Sequence, residues 1–353
     1  MPRIFITLLI IILLVNTSAC STFSYYAQTI AGQMSLLSKR QSISDIIKDP
    51  DILDSTRMQL QQVNEIREYA SKHLHLPENN SYRNFADIGR DYVVWNVFAT
   101  PEFSLQPREW CFLFVGCLSY RGYFSEKDAR RYAKKLEQQG LDVFVGGVAA
   151  YSTLGWFDDP VLSTMLNWDK TRLARVVFHE LAHQLIYIED DTDFNEAFAD
   201  TVAQAGVLHW LNTTTGSDIV EQFEQELQRE KQFVDLVFRY REKLNGLYSN
   251  KPGKDAKRIQ KNQLFIQMKV DYYQFREAWV TENAYDDWFE SGLNNAKLSA
   301  VITYREYVPG FLALLNSVNN DLPGFYDVVT DLGKCDPALR HQILSARLTE
   351  YDC

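Results

Sequence analysis

The chain reads as an α+β protein, mostly helical, with a small sheet beside a pair of metal-binding helices and a long helical hairpin toward the C-terminus. Three observations predict this. The run Val176-Val177-Phe178-His179-Glu180-Leu181-Ala182-His183-Gln184-Leu185 sets two histidines one turn apart on an apolar helix, and a second helix opens within Asp193 to Asp200. Short β-branched and aromatic runs, bounded by turns, are confined to Tyr92 through Tyr151. Beyond Asp218, helical spacing persists to Trp279 with one break, Asn250-Lys251-Pro252-Gly253.

The 353 residues, 46% hydrophobic and 23% charged, suffice for one large domain or two closely joined ones. A formal charge of −10 argues against a nucleic-acid partner and against a basic membrane-binding surface. Four segments are expected: a leader over 1–19, a helical segment over 20–85, an α+β region with the metal helices over 86–212, and a helical region over 213–353.

The leader has Arg3 at its start, an apolar run from Ile4 to Val15, and small residues Thr17-Ser18-Ala19 before Cys20. Twelve such residues are too few to span a bilayer comfortably. Either cleavage precedes a lipid-modified Cys20, or ordinary signal cleavage releases the chain. Both routes lead out of the cytosol, where Cys111, Cys117, Cys335 and Cys353 can form disulfides. Of three connectivities, Cys111–Cys117 with Cys335–Cys353 is the simplest, and it needs a turn at Gly116; free buried thiols are the alternative.

Helices are expected over Gln28–Ser38 and Asp54–Leu76, with Asp45 to Asp51 as a charged link. His73 and His75, at i and i+2, cannot face one ion from a helix and read as surface residues. Strands are expected over Tyr92–Phe98, Trp110–Val115 and Leu141–Val148, with a helix over Ser125–Gln139. Gly146 and Gly147 would let an extended peptide approach an edge strand closely, or mark a glycine bulge. The loop Trp156-Phe157-Asp158-Asp159-Pro160 offers two carboxylates for a substrate amine, or a solvated turn.

His179 and His183 reach one ion because i and i+4 share a helix face, and Glu180 stands beside it as a base for water. Such polar groups on so apolar a helix are costly unless satisfied. A catalytic zinc takes three protein ligands and keeps a fourth position open, which makes Glu196 the third candidate and Asp200 its support one turn on. Asp193 with Glu196 is also a capping-box pattern, which competes for the same side chain. The following helix is expected to end near Leu211, and Asp218 with Glu221 reads as the capping box of the next. Glu224, Glu226, Lys231 and Arg239 read as its solvated face.

His-Glu-Leu-Ala-His followed by Asn-Glu-Ala-Phe-Ala-Asp resembles the glutamate-zincin (gluzincin) peptidases, and more closely a bacterial family of predicted zinc aminopeptidases with a lipoprotein-type leader. The similarity extends over Tyr25 to Gln33, Cys111 to Tyr123, Gly146 to Pro160, Asn294 to Ala296 and Tyr304 to Pro309, nearly the whole mature chain. It implies one Zn²⁺ on His179, His183 and Glu196, a peptide substrate, and a sheet that frames the cleft. It also implies lipid on Cys20 and a place in the cell envelope, with Ser21 resembling outer-membrane sorting where a cell has two membranes. Tyr304 lies in a matching segment and is the first choice to hold the reacting oxygen, with Tyr307, Tyr151 and His209 as alternatives. The chain lacks the Gly-x-Met-Glu-Asn strand whose glutamate holds the substrate amine in gluzincin aminopeptidases. The readings open at this point are an aminopeptidase, a zinc endopeptidase or other amide hydrolase, and a non-catalytic envelope protein that retains the site.

Overall fold

A computed structural model of the chain describes residues 25–112, 116–150, 152–250, 253–279 and 285–353. The leader, Cys20, Ser21 and Tyr151 lie outside the described residues. Mostly helical with small sheets, it has the expected fold class.

The N-terminal part runs from α1 (25–38) through β1 (Gln41–Ser42) and α2 (Ile43–Lys48) to α3 (Asp54–Leu74). The charged link expected over 45–51 is therefore partly helical. Ile43, Ile46 and Ile47 give it an apolar stripe that packs into the core with Leu60, Val63 and Ile66 of α3. His73 and His75 are exposed as expected. There follow β2 (Asn84–Ala86), β3 (Val94–Pro101), β4 (Trp110–Phe112), β5 (Gly116–Leu118), β6 (Arg121–Tyr123), α4 (Glu126–Glu137), β7 (Leu141–Val148) and β8 (Val161–Leu162).

The sheet that matters has the order β6–β3–β7 and is antiparallel throughout, with Val94 opposite Val148 and Pro101 opposite Leu141. Alternation along β3 divides it cleanly. Trp95, Val97 and Ala99 meet Ala129, Ala133 and Leu136 of α4 on one face, while Phe98 stacks on Phe144 on the other. β7 ends the sheet. A second small sheet, β1–β2–β8, leads the chain into the next helix.

That helix, α5 (Lys170–Leu185), is capped by Asp169, whose carboxylate accepts from Arg172 N, and it pairs with α6 (Thr192–Thr214). The first half of α6 is buried on all sides, as its run of Phe194, Ala197, Phe198, Ala199, Val202 and Ala203 requires, while His209 and 212–214 near its end are exposed. Complete burial of Phe178, Phe194 or Phe198 stabilises the fold by roughly 1.5–3 kcal/mol each. Around this pair one apolar cluster gathers residues from Leu36 to Leu344.

The hairpin is α7 (Ser217–Ser249) and α8 (Lys254–Arg276), closed by Leu236, Tyr240 and Leu244 against Phe265, Met268 and Tyr272. Glu224, Glu226, Lys231 and Arg239 are exposed along it. Its start departs from expectation: Gly216 is the N-cap and no side chain caps α7. Asp218 falls inside the first turn, where it faces the positive end of the helix dipole instead of forming a capping box. The remainder is α9 (Asp286–Glu290), α10 (Asn295–Arg305), α11 (Val308–Ser317), α12 (Leu322–Leu332) and α13 (Pro337–Ala346). α10 lies across α6 and on the open face of the sheet.

Both short-range cysteine pairs are bonded, Cys111–Cys117 and Cys335–Cys353. Gly116 supplies the turn with φ +73°.

Candidate metal centre

The connection between α5 and α6 sets the geometry. Asn195 clasps it, its Oδ1 accepting from Ile188 N at 2.8 Å and its Nδ2 donating to Ile188 O at 2.7 Å. Asp190 takes the Cys117 amide at 2.6 Å, which docks the disulfide hairpin on the same loop. The N-cap of α6 is Asp191, whose Oδ1 accepts from Phe194 N. Glu196 therefore lies beyond the capping positions, and the Asp193–Glu196 capping box does not form.

Freed from that role, Glu196 faces the histidines. Its Oε2 is 3.3 Å from His179 Nε2 and 3.5 Å from His183 Nε2, and the two Nε2 atoms are 3.1 Å apart. His183 and Glu196 are each only 7% exposed. At 3.1 Å one ring nitrogen can donate its proton to the other, so at most one of the two carries a proton along this line. With both Nε2 atoms deprotonated, the two lone pairs and the Glu196 oxygen would face one cation at the centre. Donors at about 2.0–2.1 Å from a tetrahedral zinc lie about 3.3–3.4 Å from each other, and the three measured separations bracket that value. The donor set, two imidazoles and a carboxylate, fits the ion expected from the sequence.

The charges at the site act on one another. Burial alone would raise Glu196, yet His183 and His179 hold its pKa at about 2. Burial would lower His179, but its bond to Glu196 and the charge of Glu180 leave it raised. Glu180 is raised by burial, against the lowering influence of the two histidines. The site thus contains one carboxylate committed to charge and one with increased proton affinity.

Tyr304 comes to this site. Burial lifts its phenol well above the usual range, and the charges of Glu196 and Glu180 add to the shift. The two alternatives among the described residues are engaged elsewhere: Tyr307 stacks on His341, and His209 Nδ1 is bonded to Tyr69 Oη at 2.6 Å.

Asp200 departs from its expected role. Its carboxylate accepts from Arg175 Nη2 at 3.1 Å, from Gln204 Nε2 at 2.7 Å and from Arg305 Nη1, instead of from a histidine ring. Three donors, two of them charged, outcompete an imidazole. His183 Nδ1 is buried with no hydrogen-bond partner among the described residues.

The Asp158–Asp159 pair is split. Asp159 is fully buried and closes its own loop, accepting from Thr153 N and Thr153 Oγ1 at 2.8 Å and from Ser152 Oγ at 3.3 Å. Burial pushes it to about 6 against those bonds, with Glu180 adding to the shift. A carboxylate so enclosed is not offered to a substrate amine; Asp158 is half-buried. At the sheet edge, Gly147 is exposed, and its missing side chain makes room for the Tyr92 ring, 2.5 Å from where a Cβ would stand. Gly146 lies beside it opposite Asn96.

Sequence reasoning missed Tyr82. It is 1% exposed and has φ +62°, and its buried hydroxyl has no partner in hydrogen-bond geometry among the described residues. Ser81 beside it accepts from Gln184 Nε2, one helical turn beyond Glu180, which sets Tyr82 against the base. A tyrosine in the left-handed region is an uncommon strain, and no motif announces one.

A family model described as "Putative aminopeptidase" matches residues 24–344. No curated protein and no solved structure matches the chain significantly.

Proposed function

The chain belongs to this aminopeptidase family, and from that premise we propose that it is a zinc-dependent peptide hydrolase which removes N-terminal residues. The observation that carries the reading is the convergence of His179, His183 and Glu196 at 3.1–3.5 Å, with Glu180 on the same helix. His179, His183 and Glu196 would hold the ion, which when bound supplies Lewis acidity toward a peptide carbonyl and toward water. Glu180 accepts the proton of the attacking water and passes it to the leaving amine, a role suited to a buried carboxylate of raised proton affinity. Tyr304 donates a hydrogen bond to the carbonyl oxygen as charge builds on it. The free edge of β7 at Val145 and Gly147 holds the substrate backbone in extended form. Arg3, the apolar leader and Cys20 support a lipid tether that keeps this chemistry in the cell envelope.

The test compares peptides with free and acetylated N-termini, using the zinc-loaded chain and its Glu180→Gln variant. Cleavage of free peptides alone, reduced about 10²–10⁴-fold in the variant, is the expected result. Cleavage of acetylated peptides would make the chain an endopeptidase, a reading that fits the enclosed Asp159 carboxylate. No cleavage of either peptide would sink the hydrolase assignment.

A further inference from the structure

One helical turn behind the candidate ligands lies a ring of four charges. Arg175 precedes His179 by one turn on α5, and Asp200 follows Glu196 by one turn on α6. Arg175 Nη2 donates to Asp200 Oδ1 at 3.1 Å and to Glu230 Oε2 at 2.8 Å. Arg305 Nη1 donates to Asp200 Oδ2, and Arg305 Nη2 donates to Glu230 Oε1. Each acid thus accepts from both guanidinium groups, and the ring ties together α5, α6, α7 and α10. Its four side chains are 8–20% exposed.

A buried ring of this kind is a poor source of stability, because desolvation offsets most of the attraction. What it supplies is register. Arg305 spans the two carboxylates with both Nη atoms while Arg175 bridges them with Nη2, and such directed bonds fit in one arrangement, whereas apolar contacts tolerate a slide. The register matters because Arg305 is the immediate neighbour of Tyr304. The end of α10 packs against the first turns of α6: Thr303 is bonded to Asp193, and Arg305 reaches Asp200, two turns further along α6. Glu196 lies between Asp193 and Asp200 along α6, as Tyr304 lies between Thr303 and Arg305 along α10, and the Glu196 charge acts on the Tyr304 phenol.

We propose that Arg305 is a positioning residue, whose fork onto Asp200 and Glu230 locks α10 so that the Tyr304 hydroxyl stays over the ligand triad. The inference rests on the role given to Tyr304 above. It also accounts for Asp200: this carboxylate serves the tyrosine-bearing helix as well as the helix of Glu196.

The experiment uses Arg305→Lys, which keeps the charge and removes the fork. One arm places 3-fluorotyrosine at 304, with 3-fluorotyrosine at 272 in the hairpin core as control, and follows ¹⁹F resonances with and without Zn²⁺. Arg305→Lys should move the 304 resonance and leave the 272 resonance and the zinc stoichiometry unchanged. The other arm is a cycle with Tyr304→Phe. Arg305→Lys alone should lower kcat about tenfold with KM within about twofold, and should cost less than about twofold in the Tyr304→Phe background. A stationary 304 resonance, or the same tenfold loss in both backgrounds, overturns the proposal. If wild type cleaves no peptide, the hydrolase reading falls, while the ¹⁹F arm still decides whether Arg305 positions Tyr304. Should Arg305→Lys fail to fold, Glu230→Ala removes the carboxylate that Arg305 Nη2 grips, and both arms apply to it unchanged.

Discussion

If Glu196 closes the metal site, its removal must abolish stabilisation by zinc while leaving the base intact. Metal bound by the folded chain alone stabilises it by RT ln(1 + [Zn]/Kd), about 2.7 kcal/mol at a hundredfold excess over Kd. With an unfolding entropy of about 2.1 cal/mol/K for each of about 320 described residues, that corresponds to a Tm increase of about 4 °C. Glu196→Gln preserves shape but loses the anionic oxygen that lies 3.3 and 3.5 Å from the two imidazoles, so the ion keeps only two strong donors. At the same free zinc the increase should fall below about 1 °C. Glu180 is on the same helix but outside the donor set, so Glu180→Gln should retain the full increase. Differential scanning calorimetry in a zinc buffer, with bound metal counted by elemental analysis, reads both variants. A full 4 °C increase in Glu196→Gln would refute the ligand assignment; loss of the increase in Glu180→Gln would show that the donor set is wrongly drawn.

Other predictions concern the surroundings of the site. Asp193 is pushed up to about 7 by burial, with Glu306 and Asp191 adding repulsion. Its folded pKa is raised above the unfolded value, so stability present below about pH 4 is lost as pH rises toward 7. Asp193→Asn should therefore be more stable than wild type at pH 8 and nearly equal at pH 4, as read by urea unfolding; an equal gain at both pH values would contradict this. Phe198→Ala, in the fully buried face of α6, should cost about 3–5 kcal/mol in the same assay, and a cost under 1 kcal/mol would mean that α6 is not the centre of the core. Tyr82→Phe deletes a buried hydroxyl with no partner among the described residues and should leave stability equal or higher by up to about 1 kcal/mol; a clear loss would reveal a bond to that hydroxyl. Cys20→Ser should move the mature chain from the membrane fraction to the soluble one, and unchanged partitioning would remove the lipid tether.

What the sequence alone determined is what local spacing determines. His179 and His183 share a face because a helix repeats every 3.6 residues, and Leu141–Val148 is a strand with the bounds that its composition predicts. Both disulfides join cysteines that are near neighbours in the chain. Even Glu196 could be singled out, because one short connection leaves the second helix little freedom of placement. Whether it capped that helix or faced the histidines was decided elsewhere, by Asp191 taking the cap and Asn195 clasping the loop.

Tertiary structure decided everything that depends on which distant charges meet. Asp200 and its sequence spacing suggested a histidine partner, but Arg305 arrives from more than a hundred residues away and takes the carboxylate. Asp159 looked like a solvated loop residue until burial enclosed it. Tyr82 and the ring of Arg175, Asp200, Arg305 and Glu230 leave no periodic trace at all. Periodicity encodes which face of an element is apolar; it carries no record of which polar group a partner element will bring to that face.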